Sequence, residues 1–224
     1  EAQTWVNRRL QFTHGYGLTL SPVNEITPQG LPELLIKDIP PVGDCNIERP
    51  QIYYGEKTSE YVIVNTKTQE FDYPKGDQNV YGHYEGTGGV DLSSFIRRLT
   101  YAWQLGDINI LISGELTPES RVLYYRNITG RVNHLAPFLK LDRDPYLVVM
   151  DGRLFWIQDA YTVTNRYPYS EPLDNGLNYI RNSVKAVVDA YDGSVTFYVA
   201  DPEDALIKTY QTIFPGLFTP MEDC

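Results

Sequence analysis

Between Val90 and Leu105 the apolar residues recur at intervals of three and four, with Leu92, Phe95, Ile96, Leu99, Ala102 and Trp103 alternating against Arg97, Arg98 and Gln104. That period predicts an amphipathic helix, capped by Asp91 and stopped at Gly106, where glycine accepts a left-handed backbone. Thr117-Pro118-Glu119 places a cap, a proline and an acid in order, which predicts a second helix running towards Leu135 and ending before Pro137. Gly130 within it costs roughly 1 kcal/mol relative to alanine. Asp201-Pro202-Glu203-Asp204 opens a third by the same logic, carrying Leu206, Ile207 and Tyr210 inward until Pro215.

Elsewhere the period is two. Short β-branched and aromatic runs at Leu34 to Ile39, Gln51 to Tyr54 and Tyr61 to Thr66 are separated by Pro, Gly and Asp, and Ile108 to Ser113 reads as a buried strand. Glu70 to Tyr73 suits an edge strand, because neighbouring Pro74 has no N–H to donate. Two hairpins are predicted most directly. Tyr146 to Met150 returns through Asp151-Gly152, a type I′ turn pair, into Leu154 to Thr164. Val184, Ala186, Val188 and Ala190 return through Asp192-Gly193 into Val195, Phe197 and Val199. Residues 1–33 show no sustained period and read as an extended segment lying over the surface. The expectation is one α+β domain over residues 1–224, an antiparallel-rich sheet with β-hairpins and about three packed helices.

Composition narrows the classes. With 21% charged and 42% hydrophobic residues in 224, the chain lies far from disordered, collagen-like and coiled-coil sequences. Nineteen Lys and Arg against 29 Asp and Glu leave a net charge of −10, which repels nucleic acid and anionic headgroups unless a local basic patch outweighs it. The longest apolar runs, such as Tyr146 to Met150, fall far short of the roughly 20 residues that cross a bilayer. The chain starts at Glu1 with no initiator Met and no signal pattern, so it reads as processed or as an excised piece of something longer. Cys45 and Cys224 make neither a disulfide scaffold nor a CxxC zinc site, and free thiols are favoured over a mutual bridge.

No complete catalytic motif is present. His14, His83 and His134 are not at metal-ligand spacing, so no metal site is expected, and no cofactor either. His14 stands out because Gly15 and Gly17 beside it, with Tyr16 between them, can bring backbone and imidazole close to a ligand. Asp142, Asp144, Asp151 and Asp159 form the densest acidic group, which suits paired-carboxylate glycoside hydrolysis or a hard cation, but Asp142-Arg143-Asp144 fails the EF-hand pattern and structural roles are favoured. Gly86-Thr87-Gly88-Gly89 offers backbone N–H groups to an anion without the lysine of a P-loop. Asn127-Ile128-Thr129 matches a glycosylation acceptor, placed in a helix. The 18 tyrosines, with Tyr124-Tyr125 and the Tyr167-Pro168-Tyr169 run among them, suit contact surfaces as well as strand packing. Arg8, Arg9 and Arg181 are candidate anion contacts.

Long ordered blocks along the whole chain carry a more specific signal. They include Thr4 to Gly17 (TWVNRRLQFTHGYG), Leu35 to Pro41 (LIKDIPP), Ile52 to Glu56 (IYYGE), Arg121 to Arg126 (RVLYYR), Ala136 to Asp142 (APFLKLD), Asp151 to Trp156 (DGRLFW) and Asn178 to Tyr198. Together they closely resemble the uncharacterised protein family 0182. The resemblance implies large bacterial multi-pass membrane proteins, with this chain a part of the soluble domain outside the cytoplasm and its own transmembrane domain as its partner. The family carries no established activity, so no catalytic residue transfers. The leading expectation is a non-catalytic extracytoplasmic domain serving recognition or assembly, with a cell-envelope polymer or protein as a further partner. The alternatives are an enzyme acting on an envelope glycan or lipid-linked polymer through Asp142, Asp144 and Asp159, and a substrate-capture lobe of a membrane transporter. The candidate ligand contacts are Arg8, Arg9, His14, Tyr16, Asp142, Asp144, Asp159, Tyr167, Tyr169 and Arg181.

Overall fold

The computed structural model describes residues 4–43 and 45–223. A π-helical turn at Asn7–Gln11 is followed by short strands β1 (Gly15–Tyr16), β2 (Ile36–Lys37), β3 (Val42–Gly43), β4 (Gln51–Ile52) and β5 (Val62–Val64), then β6 (Glu70–Lys75), β7 (Gln78–Gly82) and β8 (Val90–Asp91). Helices α1 (Phe95–Leu105) and α2 (Asn109–Ile112) precede β9 (Arg121–Leu123), and α3 (Ile128–Leu135) precedes β10 (Lys140–Leu141), β11 (Tyr146–Met150), β12 (Arg153–Thr164), β13 (Tyr179–Asp189) and β14 (Val195–Val199). Helix α4 (Ala205–Ile213), β15 (Phe218–Pro220) and a 3₁₀ turn at Met221–Asp223 complete the order. The chain is α+β and antiparallel-rich, as the pattern predicts.

The main sheet runs β10-β12-β13-β14-β15, with β11 also on β12; its pairs are antiparallel except β14 with β15. The Asp151-Gly152 turn takes positive φ at both residues, 50° and 72°, as a type I′ turn requires. The second hairpin is closed by a longer loop, Ala190 to Ser194, in which Gly193 alone is left-handed, with φ 71°. On its inner face Val184, Ala186, Val188, Phe197 and Val199 are buried against Ile128 and Val132 of α3 and Ile207 of α4. Asp204 fixes α4 to that sheet: it accepts from Leu206 N–H as N-cap and from the Ser183 and Tyr179 hydroxyls at 2.6 Å each.

A three-stranded sheet, β5-β9-β8, is the wall between two cores. Its period of two sends Val62, Val64 and Leu123 to the first core and Ile63 and Val122 to a second, where they meet Leu10, Leu92, Ala102 and Ile110.

Several local expectations are corrected. Asp91 does not cap α1: Val90 and Asp91 pair with β9, so the helix starts only after Ser94, whose hydroxyl accepts from Arg97 N–H at 3.3 Å. Ile108 to Ser113 is not a strand, because the Asp107 carboxylate accepts from Asn109 N–H at 3.0 Å and turns the chain into α2. The expected helix from Thr117 splits. Thr117 and Ser120 hydroxyls bond Asn65 O at 3.0 and 2.9 Å, Arg121–Leu123 fills the centre of the small sheet, and only Ile128–Leu135 is helical. Asn127 is the N-cap of α3, its Oδ1 accepting from Gly130 N–H at 2.9 Å and its amide donating to Glu56 O, so the glycosylation triplet is engaged in the fold. Residues 1–33 are not wholly extended, since Asn7–Gln11 is helical and buries Leu10. The edge strand at Glu70 pairs with β7, a polar partner that the alternation did not reveal.

Candidate functional site

The N-terminal segment is fastened to β6 by a buried ionisable network. Glu70 is fully buried and accepts from the Thr13 hydroxyl at 2.6 Å, the Tyr53 hydroxyl at 2.8 Å and Tyr84 N–H at 3.1 Å. His14 Nε2 lies 3.1 Å from Asp72 Oδ1, while Nδ1 lies 2.9 Å from the Thr13 hydroxyl oxygen and 3.7 Å from Glu70. Thr13 has one proton, and it goes to Glu70, so its oxygen is left to accept from Nδ1–H. Asp72 accepts from Nε2–H. Both ring nitrogens therefore donate, which defines a protonated imidazolium between two carboxylates. Burial alone would lower the His14 pKa, but the bonds and charges of Asp72 and Glu70 outweigh it and hold the value above the usual one. Burial likewise pushes Glu70 up, and the nearby His14 charge with donation from Thr13 and Tyr53 overcomes it, leaving the carboxyl below its ordinary range. Tyr16, its ring 4.9 Å from that of Tyr73, is raised to about 12 by burial and the nearby Asp72 charge.

Beside this network runs a groove made of three adjoining hollows. The first, about 430 Å³, is lined by Arg8, His14, Lys57, Glu60 and Arg126. It shares Ser59 and Glu60 with the second, about 390 Å³, which holds Arg9 and Gln104. Tyr124 and Tyr125 pass from the second into the third, about 340 Å³, with Tyr54, Arg131 and His134. Arg8 and Arg9 both pair with Glu60, and Arg9 also lies 4.2 Å over the Tyr61 ring. Arg126 is buried and donates to three backbone carbonyls, of Tyr53 at 2.7 Å, Glu60 at 3.1 Å and Thr13. Desolvation draws its pKa down to about 10, so it stays charged at neutral pH. Arg131 stacks 4.7 Å over Tyr54 and bonds the carbonyls of Tyr124 and Tyr125 at 3.3 and 3.2 Å. Those bonds hold Tyr125 at φ 48°, half exposed, its ring 4.1 Å from that of His134.

The second surface feature is an apolar ridge. The face of α1 expected to pack inward is only partly used: Leu92 and Ala102 are buried, whereas Phe95 is 69%, Ile96 74%, Leu99 48% and Trp103 89% exposed. Ile108 and Ile112 continue the ridge at 61% and 70%. Inward contact falls instead to Tyr101, Ala102 and Leu105, so α1 carries a second apolar stripe that no element among the described residues covers. At roughly 200 Å² for a large side chain the ridge exposes on the order of 800 Å², more than the roughly 300 to 600 Å² of the largest patch on a typical monomer.

The structure brings together Arg8, Arg9, His14 and Tyr16, and places the remaining predicted contacts elsewhere. Asp142 N–H donates to the Asp159 carbonyl at 2.9 Å, which sets these two residues side by side, but the Asp142 carboxylate accepts from Arg143 N–H at 2.8 Å, Asp159 is ion-paired to Lys185, and Asp144 lies exposed in the connection to β11. Arg181 pairs with Asp201, Tyr167 stacks on Tyr179 at 4.5 Å, and Tyr169 is wholly exposed. The Gly86 to Gly89 loop is filled from within, since Thr87 N–H donates to Asp192 at 2.9 Å and Gly88 N–H to Tyr84 at 2.8 Å. Cys45 is exposed, and Cys224 lies outside the described residues. Among the described residues no group of three His, Cys, Asp or Glu could hold a metal ion, and no helix is long and apolar enough to cross a membrane. Glu60, Glu70, Arg126, Arg131 and His134 were not legible as site residues. Tyr124 and Tyr125 stand out in the sequence only among the paired tyrosines and Arg126 only within the block RVLYYR; burial and long-range pairing give them their roles.

The model of one family matches residues 1–224 without a break. The chain belongs to the uncharacterised protein family UPF0182. It is similar to the UPF0182 protein of Pelotomaculum thermopropionicum, 57% identical over 99% of this chain and 24% of that protein. The UPF0182 protein of Sulfurovum sp. is 58% identical over 99% of this chain and 25% of its own length. That of Desulforamulus reducens is 56% identical over 100% and 24%. The chain thus spans about a quarter of the length of the curated relatives it matches. No solved structure matches it.

Proposed function

We propose that this chain is a non-catalytic recognition and assembly domain of a larger membrane protein, standing outside the cytoplasm, and that its α1–α2 ridge seats on the remainder of the same polypeptide. The observation that carries this reading is the outward stripe of Phe95, Ile96, Leu99 and Trp103, which has helical spacing and no covering partner among the described residues. Three quarters of the length of its UPF0182 relatives lies outside the matched region, which supplies an occupant. Burying on the order of 800 Å² at about 25 cal/mol per Å² is a gross driving force of roughly 20 kcal/mol, ample to hold a tethered segment after ordering costs. The Asp142 carboxylate is engaged by Arg143 N–H, Asp159 is ion-paired to Lys185 and Asp144 is exposed, which favours this reading over paired-carboxylate hydrolysis.

The test is cysteine accessibility in the full-length protein carrying Cys45→Ser. Ile96→Cys and Trp103→Cys are expected to resist a membrane-impermeant maleimide until the protein is denatured, while Tyr169→Cys reacts at once. Equal reactivity at all three positions refutes the docking.

A further inference from the structure

The groove has a charge opposite to that of the protein. Its three hollows are lined by Arg8, Arg9, Lys57, Arg126 and Arg131 against one carboxylate, Glu60, in a chain of net charge −10. Glu60 is already shared by Arg8 and Arg9. Arg126 and Arg131 bond only backbone carbonyls among the described residues, so both guanidinium charges lack a carboxylate partner. A guanidinium has five N–H donors, and Arg126 uses three. A buried cation with spare donors at the edge of a cavity is completed by an anion.

The aromatic side adds the shape. Tyr125 is a non-glycine residue at φ 48°, a conformation that costs of order 1 kcal/mol or more and persists where surrounding contacts impose it. Here Arg131 imposes it from below, and the result is a half-exposed ring backed by His134 and Tyr124 between the second and third hollows. A flat aromatic face beside charged donors suits a pyranose, whose axial C–H groups lie on the ring while its substituents reach outward. Each hollow alone has the size of a small-ligand site, and three in file fit a chain of units.

We propose that the groove running from Arg8 and Arg126 to Tyr125 and Arg131 binds an acidic oligosaccharide, with a carboxylate or phosphate group at Lys57 and Arg126 and a sugar ring on Tyr125. This gives the recognition half of the proposed function a ligand class. It uses none of the α1–α2 ridge, so the maleimide protection of Trp103→Cys stands or falls separately.

The experiment is titration calorimetry on the full-length protein with four probes: an oligogalacturonate, a neutral malto-oligosaccharide of equal length, inorganic phosphate, and a single-stranded oligonucleotide. The oligogalacturonate is expected to bind at least about tenfold more tightly than the neutral oligosaccharide, and added salt weakens it. Tyr125→Gly, which suits the positive φ and so preserves the fold, weakens binding by about tenfold or more, Tyr125→Phe restores it, and Lys57→Gln weakens binding of the acidic chain and flattens its salt dependence. Equal affinity for acidic and neutral chains, indifference to Tyr125→Gly, tightest binding to the oligonucleotide, binding of phosphate alone, or no binding to any probe overturns the proposal.

Discussion

Replacing Glu70 with alanine tests the buried network that ties the N-terminal segment to β6. The carboxylate is fully buried, so solvent screening does not reduce its contacts. Its removal leaves the Thr13 hydroxyl, the Tyr53 hydroxyl and Tyr84 N–H, now at 2.6, 2.8 and 3.1 Å, without their acceptor. Each orphaned buried donor costs about 1 to 3 kcal/mol. His14 keeps Asp72 at 3.1 Å but loses the second charge at 3.7 Å. Hydroxyls can turn to other partners, so the expected loss is roughly 3 to 5 kcal/mol, the range for breaking one side of a buried charged pair. At about 2 to 4 °C per kcal/mol for a chain of this size, the midpoint falls by on the order of 10 °C. Glu70→Gln retains the shape and one acceptor oxygen and loses about half as much. The assay is urea and thermal unfolding followed by circular dichroism at pH 6. A loss under about 1 kcal/mol for Glu70→Ala refutes the assignment of Glu70 as the hub, since a single net hydrogen bond is worth that much.

Stability should depend on pH through the same pair. The His14 pKa is raised in the fold, so its contribution is complete below the unfolded value of about 6.5 and is lost as pH rises through the folded one. The Glu70 pKa is lowered, so its contribution is present above about 4.3 and lost as pH falls through the folded value. Midpoint against pH is therefore expected to fall on both sides of that window, and His14→Gln should abolish the alkaline limb and, because His14 helps to hold the Glu70 pKa down, shrink the acid limb as well; an unchanged alkaline limb in the variant shows that another group causes it. Gly193→Ala places a Cβ 2.4 Å from the buried Tyr54 ring at φ 71°, and is expected to cost more in urea unfolding than Gly30→Ala, where φ is 79° and nothing lies within 4 Å. Equal costs would mean that close approach to Tyr54 adds nothing to backbone strain.

How far the sequence reached depended on the range of the determining contact. The hairpin at Asp151-Gly152 and the stop at Gly106 were legible because turn and cap chemistry is local, whereas α4 starts three residues later than its cap, proline and acid order implies, at Asp204 rather than Asp201. Asp91 and Thr117 misled because cap-like residues also serve strands and turns, and the pairing of β8 and β9 that decided between them is long-range. The period of α1 was read correctly, yet period alone does not say what covers a face, and Trp103 is outside. For the groove, Arg8, Arg9 and His14 were singled out from local composition, whereas Arg126 and Glu70 required burial and partners 113 and 57 residues away in sequence, which no spacing rule encodes.

The docking of the α1–α2 ridge on the rest of the polypeptide is tested most directly by placing a photo-crosslinking amino acid at Trp103 in the full-length protein and mapping the products by mass spectrometry. The account predicts cross-links from position 103 to peptides of the same molecule outside residues 1–224. Cross-links only to water, to a second copy of the chain or to a separate protein contradict it.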